Sequence, residues 1–230
     1  MQTRDFLDRL HECRSALFDV DNTSVDGNVS AGIGKRYLQK EMMAGHCGNF
    51  MVGVIGGLGT TIYRKAMKDD ENGIGIFIKS LNMARCVDEE TTKKFAREYV
   101  SKHSMPGAKD FVDHLRRMNI YSIVHTGGMN LSAEVVKEEL GFDDSFGNYC
   151  LECDVIVPTR YADIKPNKTS TAMRYLEHAG RRIGDCLVVG DAESDLELMD
   201  AARLSLASPK ASKRVRKAAS LWVPDYTDLF

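Results

Sequence analysis

Two carboxylates one residue apart follow directly on an apolar run, where Ala16, Leu17 and Phe18 lead into Asp19-Val20-Asp21-Asn22-Thr23. Acids just past a strand end sit at the rim of a parallel sheet, the place where open α/β folds bind ligands. There one carboxylate can attack phosphorus while the other gives a proton to the leaving group. Loops and helix caps use the same spacing. A second apolar run, Val188-Val189, ends in Gly190-Asp191-Ala192-Glu193-Ser194-Asp195. Asp191 is placed to hold a hard cation through carboxylate oxygen, and Asp195 to orient the cation's water shell. Helix capping by Asp191 or Ser194 is the alternative use.

A third run, Ile123-Val124-His125, ends in Thr126-Gly127-Gly128. A hydroxyl and free backbone N–H groups at a strand-to-helix turn suit phosphate oxygens. Lys165 and Lys168, near a helix start, each offer an ammonium to offset the charge of phosphate and of Asp19. His125 adjoins Thr126 and can touch substrate, but alternation along a buried strand turns it into the core, which is the preferred reading.

Parallel strands must present these residues. Ala16–Val20, Tyr121–His125, Cys186–Val189 and Leu204–Ala207 are apolar and bounded by polar or glycine-containing turns. Helical patterns lie between them at Gly107–Met118, Ser132–Leu140, Thr169–Ala179 and Asp195–Ala202. The alternation predicts an α/β fold, a doubly wound, mainly parallel sheet with helices on both faces. Asn148–Val157 reads as an added hairpin.

The stretch 27–104 differs. It is rich in glycine and methionine, with helical patterns at Ser30–Met43, Phe50–Met67, Ile74–Met83 and Glu89–Ser101. Met105-Pro106-Gly107 marks a turn back to the α/β pattern. Residues 1–26 and 105–230 are therefore expected to form the core domain, with 27–104 a helical cap inserted after the first acidic motif. Extra helices packed on the same core would leave a similar pattern. The glycine run Gly53–Gly59 lacks the spacing of a nucleotide-binding loop and reads as close helix packing or a bend.

At 230 residues, 43% hydrophobic and 28% charged, the chain has the size and composition of one globular domain with an insertion. A net charge of -2 and a pI near 6.3 give no reason to expect nucleic acid as a partner. The basic stretch Lys210–Lys217 reads as a solvated helix face. With neither a leader pattern nor an apolar stretch long enough for a bilayer, the cytoplasm is the expected compartment and no membrane partner is expected. The six cysteines should stay reduced there. Cys150 and Cys153 form a lone C-x-x-C on a strand-like segment, without a second pair at zinc spacing.

Taken in order, these signals resemble the haloacid dehalogenase superfamily. Its D-x-D-x-T motif is matched by Asp19, Asp21 and Thr23, its Ser/Thr motif by Thr126, its lysine by Lys168 or Lys165, and its G-D-x-x-x-D by Gly190, Asp191 and Asp195. The insertion falls where this superfamily carries its helical caps, and Thr126-Gly127-Gly128 with the run Gly190–Ala202 look most like the phosphoserine phosphatase branch, which favours Lys168. That resemblance implies a Mg2+-dependent phosphatase acting on a small phosphorylated metabolite through an aspartyl-phosphate. Asp19 would be the nucleophile and Asp21 the acid and base. Mg2+ would lie among Asp19, the Asp21 carbonyl and Asp191, with Thr126, Gly127 and Lys168 on the phosphate. The branch's substrate-binding glutamate is replaced by Asn28, and its cap arginine is matched only by Arg85 with the spacing off by one. Phosphoserine hydrolysis proper, a phosphotransferase or mutase with the same nucleophile, and a non-catalytic binding protein are the other readings. Oligomeric state is not legible.

Overall fold

The computed structural model describes residues 1–45, 88–153, 155–163 and 166–230. Within them a sheet of seven strands is built from β1 (Ser15–Asp19), β2 (Tyr121–Met129), β3 (Asp144–Glu152), β4 (Val155–Pro158), β5 (Cys186–Gly190), β6 (Leu204–Ala207) and β7 (Leu221–Trp222). Their order is β4-β3-β2-β1-β5-β6-β7. Only the β3–β4 pair is antiparallel among the pairings described. The helices are α1 (Thr3–Arg9), α2 (Val29–Met43), α3 (Glu89–His103), α4 (Ala108–Arg117), α5 (Asn130–Leu140), α6 (Lys168–His178), α7 (Leu196–Ala201) and α8 (Lys213–Ala218).

β1 is buried along its whole length because the sheet is covered on both faces. Phe18 points into one apolar layer with Val124, Val189 and Leu206, under Phe111 of α4 and Val135 of α5. Leu17 points the other way, joining Ile123, Val188, Leu176 of α6 and Leu198 of α7. The strand's alternation thus feeds two cores, as a doubly wound sheet requires. β1 lies between β2 and β5, so the chain winds outward in opposite directions from it. That reversal opens a crevice at the carboxyl end of β1, and Asp19 is the last residue of the strand.

The expected strands and core helices all form. β2 differs in length: the sequence predicts its end at His125, yet it runs to Met129. The register against β3 shifts between Thr126 and Met129, so an irregularity at the two glycines lets pairing resume at Met129–Tyr149. Thr126 therefore lies inside the strand rather than beyond its end. The added hairpin is β3–β4, with β3 also pairing parallel to β2.

Of the stretch 27–104, the first and last helices are described. Asn28 caps α2 by accepting from the Ala31 N–H at 2.7 Å, and Asp88 caps α3 by accepting from the Thr91 N–H at 2.7 Å. Tyr37 ties them together through the Asp88 carbonyl at 2.9 Å and Thr92 at 2.8 Å. Val29, Ile33, Tyr37, Ala96 and Val100 belong to the same apolar layer as Phe18. These two helices thus share the sheet's core. The expected helices Phe50–Met67 and Ile74–Met83, the run Gly53–Gly59, Arg85 and Lys165 lie outside the described residues. No helix among the described residues is long and apolar enough to cross a membrane.

Phe18 is fully buried, edge-on to Phe111 at 5.6 Å and to Phe142 at 5.1 Å. Phe18→Ala should therefore lower stability by about 3–5 kcal/mol in urea unfolding. A loss below about 1 kcal/mol would mean that the layer between β1 and α4 is not packed as described.

Candidate active site

The site is assembled from the ends of β1 and β5, the start of α6 and the turn after β1. Asp19 closes β1, and its carboxylate, 5% exposed as a residue, accepts from Lys168 Nζ at 2.6 Å. Lys168 is the first residue of α6, started there by Asn167, whose side chain accepts from the Ser170 N–H at 3.0 Å. The same ammonium donates to Asp195 at 2.5 Å. The other oxygen of Asp195 accepts from the backbone N–H groups of Asp191 and Ala192, both at 3.1 Å. One buried lysine thus joins the ends of β1 and β5 with the start of α6. Gly190 is required here, because a Cβ at that position would fall against the Asp195 carboxylate.

Beyond β1 the chain turns tightly. The N–H groups of Ser24 and Val25 both donate to the Val20 carbonyl at 3.0 Å, and Asn22 takes φ 53°, which asparagine tolerates better than most residues. Ser24 Oγ donates to the Asp19 carbonyl at 2.7 Å, and Ser208 Oγ, after β6, donates to the Asn22 carbonyl at 2.8 Å. Asp21 leaves this turn towards α2, where one of its carboxylate oxygens accepts from the Val29 N–H at 2.9 Å and the other from Asn28 Nδ2 at 2.6 Å.

The electrostatics are those of crowded acids. Burial raises the Asp19 carboxyl well above the usual range; Lys168 opposes this, while Asp195, Asp191 and Asp21 add to it. Asp191 is pushed up to about 6, by burial first and then by Asp195, with Lys168 opposing. Burial disfavours the Lys168 ammonium, but the charges of Asp19 and Asp195 outweigh it and keep the lysine protonated. His125 is fully buried, and desolvation followed by the nearby Lys168 holds its imidazole neutral. Its ring stacks on Phe146 at 5.3 Å, and neither ring nitrogen has a partner among the described residues.

Asp19, Lys168 and Asp195 are thus joined directly, while Asp191 and Asp21 act on the Asp19 carboxyl through their charges. Thr126 Oγ1 accepts from the Gly128 N–H at 3.0 Å, beside Asp19's strand neighbour His125. Sequence reasoning gave Asp195 to a water shell; its carboxylate instead faces Lys168 and two backbone N–H groups. It missed Asn28 as a partner of Asp21, and no pattern in the sequence marks that contact. His125 turns into the core as alternation predicted, yet its ring lies within 4.8 Å of carboxylate oxygens of Asp19 and Asp195. The position between those two carboxylates is taken by the Lys168 ammonium. The negative charges of Asp195, Asp191 and Asp21 all bear on Asp19, and carboxylates are hard oxygen donors of the kind that suits a divalent cation.

A buried strand-end carboxylate with a lysine across it, at the switch point of a doubly wound sheet, defines a class of α/β hydrolytic scaffold. The model of the haloacid dehalogenase-like hydrolases matches residues 16–200, and the chain belongs to that family. No curated protein matches the chain in sequence. Among solved structures, a substrate-bound phosphoserine phosphatase is 18% identical, covering 93% of this chain and 94% of its own with a TM-score of 0.65. A phosphoserine phosphohydrolase-like protein from Francisella tularensis subsp. tularensis SCHU S4 is 15% identical, covering 94% and 97% with a TM-score of 0.67. A protein of unknown function from Bordetella pertussis Tohama I is 15% identical, covering 95% and 99% with a TM-score of 0.69. At these identities the likeness is one of fold.

Lys168→Ala would strand two buried carboxylates. Its stability at neutral pH should fall by about 3–5 kcal/mol in urea unfolding, and an unchanged midpoint would show that the lysine is not the internal counter-ion.

Proposed function

We propose that this hydrolase is a Mg2+-dependent phosphatase that transfers the phosphoryl group of a small phosphorylated metabolite to Asp19 and then to water. The observation that carries the reading is the Asp19 carboxylate itself, buried at the end of the central strand and held by Lys168 at 2.6 Å. A carboxylate fixed this way faces the crevice with one cation already beside it, where an incoming phosphate adds negative charge.

Asp19 attacks phosphorus in line, forming the acyl-phosphate bond as the bond to the leaving oxygen breaks. Asp21 gives that oxygen a proton, and then takes one from the water that attacks the aspartyl-phosphate and releases inorganic phosphate. Lys168, the Thr126 hydroxyl and the Gly127 N–H hold the remaining phosphate oxygens, where positioning and charge stabilisation supply most of the rate. Asp195 keeps Lys168 in place. Asp19, the Asp21 carbonyl and Asp191 would hold Mg2+, which supplies charge neutralisation at the phosphate. Substrate choice is assigned to the stretch 27–104, whose first and last helices pack on the sheet's core beside this crevice.

The second carboxylate favours phosphoryl chemistry over halide displacement, because a halide leaves without a proton. A phosphotransferase would show turnover that depends on an added acceptor other than water. With p-nitrophenyl phosphate and Mg2+, Asp19→Asn should lower kcat by at least about a thousandfold. Chelation by EDTA should abolish turnover, and added Mg2+ should restore it. Substantial activity in Asp19→Asn would end the nucleophile assignment. Activity that survives chelation would end the metal assignment.

A further inference from the structure

Asn28 makes two side-chain hydrogen bonds that point in opposite directions. Its Oδ1 accepts from the Ala31 N–H at 2.7 Å and so starts α2, while its Nδ2 donates to Asp21 Oδ2 at 2.6 Å. The second Asp21 oxygen accepts from the Val29 N–H, also in the first turn of α2, at 2.9 Å. Tyr99 lies over Gly27 and Gly32, where any Cβ would meet its ring or its hydroxyl. The two chain segments that enter and leave this helical pair are themselves joined, Asp26 N–H to the His103 carbonyl at 2.6 Å and Met105 N–H to the Ser24 carbonyl at 3.0 Å.

We infer that Asn28 is the positioning residue of the reaction: it latches the proton-donating Asp21 to the first turn of α2, so that the setting of the acid follows the setting of the helix. The inference rests on the phosphatase reading for what Asp21 does, and on the hydrogen bonds alone for the latch. A carboxylate with both oxygens engaged by N–H donors has one rotamer and a fixed distance from the strand that ends in Asp19. A leaving oxygen receives its proton only from an acid within hydrogen-bond reach, so a loosened Asp21 slows departure without weakening phosphate binding. Aryl leaving groups need little protonation; alkoxides need it fully.

Asn28→Ser separates the two bonds of the side chain, since serine still caps a helix but cannot span to Asp21. In Asn28→Ser, kcat for a simple alkyl phosphate should fall at least about tenfold further than kcat for p-nitrophenyl phosphate, with KM unchanged for both. Equal losses on the two esters would overturn the positioning role. A second measurement needs no turnover: a double-mutant cycle of Asn28→Ser with Asp21→Ala in urea unfolding. The unfolding constants should be non-additive by at least about fivefold. Additive effects would overturn the latch itself. Should Asp21→Ala fail to fold, Asp21→Asn takes its place. If the unaltered protein hydrolyses no phosphate ester with Mg2+, the phosphatase reading falls and the cycle alone decides the latch.

Discussion

Three groups from distant parts of the chain meet where Lys168 Nζ lies between Asp19 and Asp195, at 2.6 and 2.5 Å. Each is nearly removed from water, so none is tolerable without the others. An unpaired charge at that depth would be strongly destabilising, whereas the trio with its backbone donors is satisfied. The pairing fixes where α6 must start, how the loop after β5 must fold, and which way the end of β1 must face. Much of the surrounding geometry follows from that constraint. Asn167 caps α6 at the turn that presents the lysine, Gly190 leaves room for Asp195, and the loop N–H groups of Asp191 and Ala192 converge on one carboxylate oxygen.

Charge balance explains why this arrangement suits catalysis as well as stability. Lys168 neutralises part of the acid cluster, but Asp191 and Asp21 add to the negative potential at Asp19. Burial displaces the carboxyls of both Asp191 and Asp19 upward. A folded protein keeps such a tension where a cation or a ligand completes the site. His125 tells the same story from beneath, as a neutral, fully buried ring between the acids and Phe146. A charged imidazole there would compete with Lys168 for the same carboxylates.

The helices on either side of residues 46–87 connect to this cluster through the turn after β1. Asp21 is bonded to α2, α2 to α3 through Tyr37, and α3 to α5 through Lys93–Glu134 at 3.3 Å and Arg97–Glu138 at 3.0 Å. Arg97–Glu138 is exposed and Lys93–Glu134 half-buried, and surface pairs of this kind contribute little energy. The buried side chains of α2 and α3 carry the packing, and they do so in the same layer as Phe18.

The sequence by itself determined the alternating α/β pattern, the central strand and the strand-end places of Asp19 and Asp191, because apolar runs ending in acids or glycine are local signals. Only the tertiary structure decided what Asp195 and Asn28 do, because their partners lie on other elements and leave no periodic trace. The length of β2 was decided the same way: two glycines read locally as a strand end, but a parallel neighbour supplied hydrogen bonds that carried the strand past them to Met129. Patterning records which face a residue turns to the core. Which distant group completes its hydrogen bonds is fixed only when the sheet closes and water is excluded.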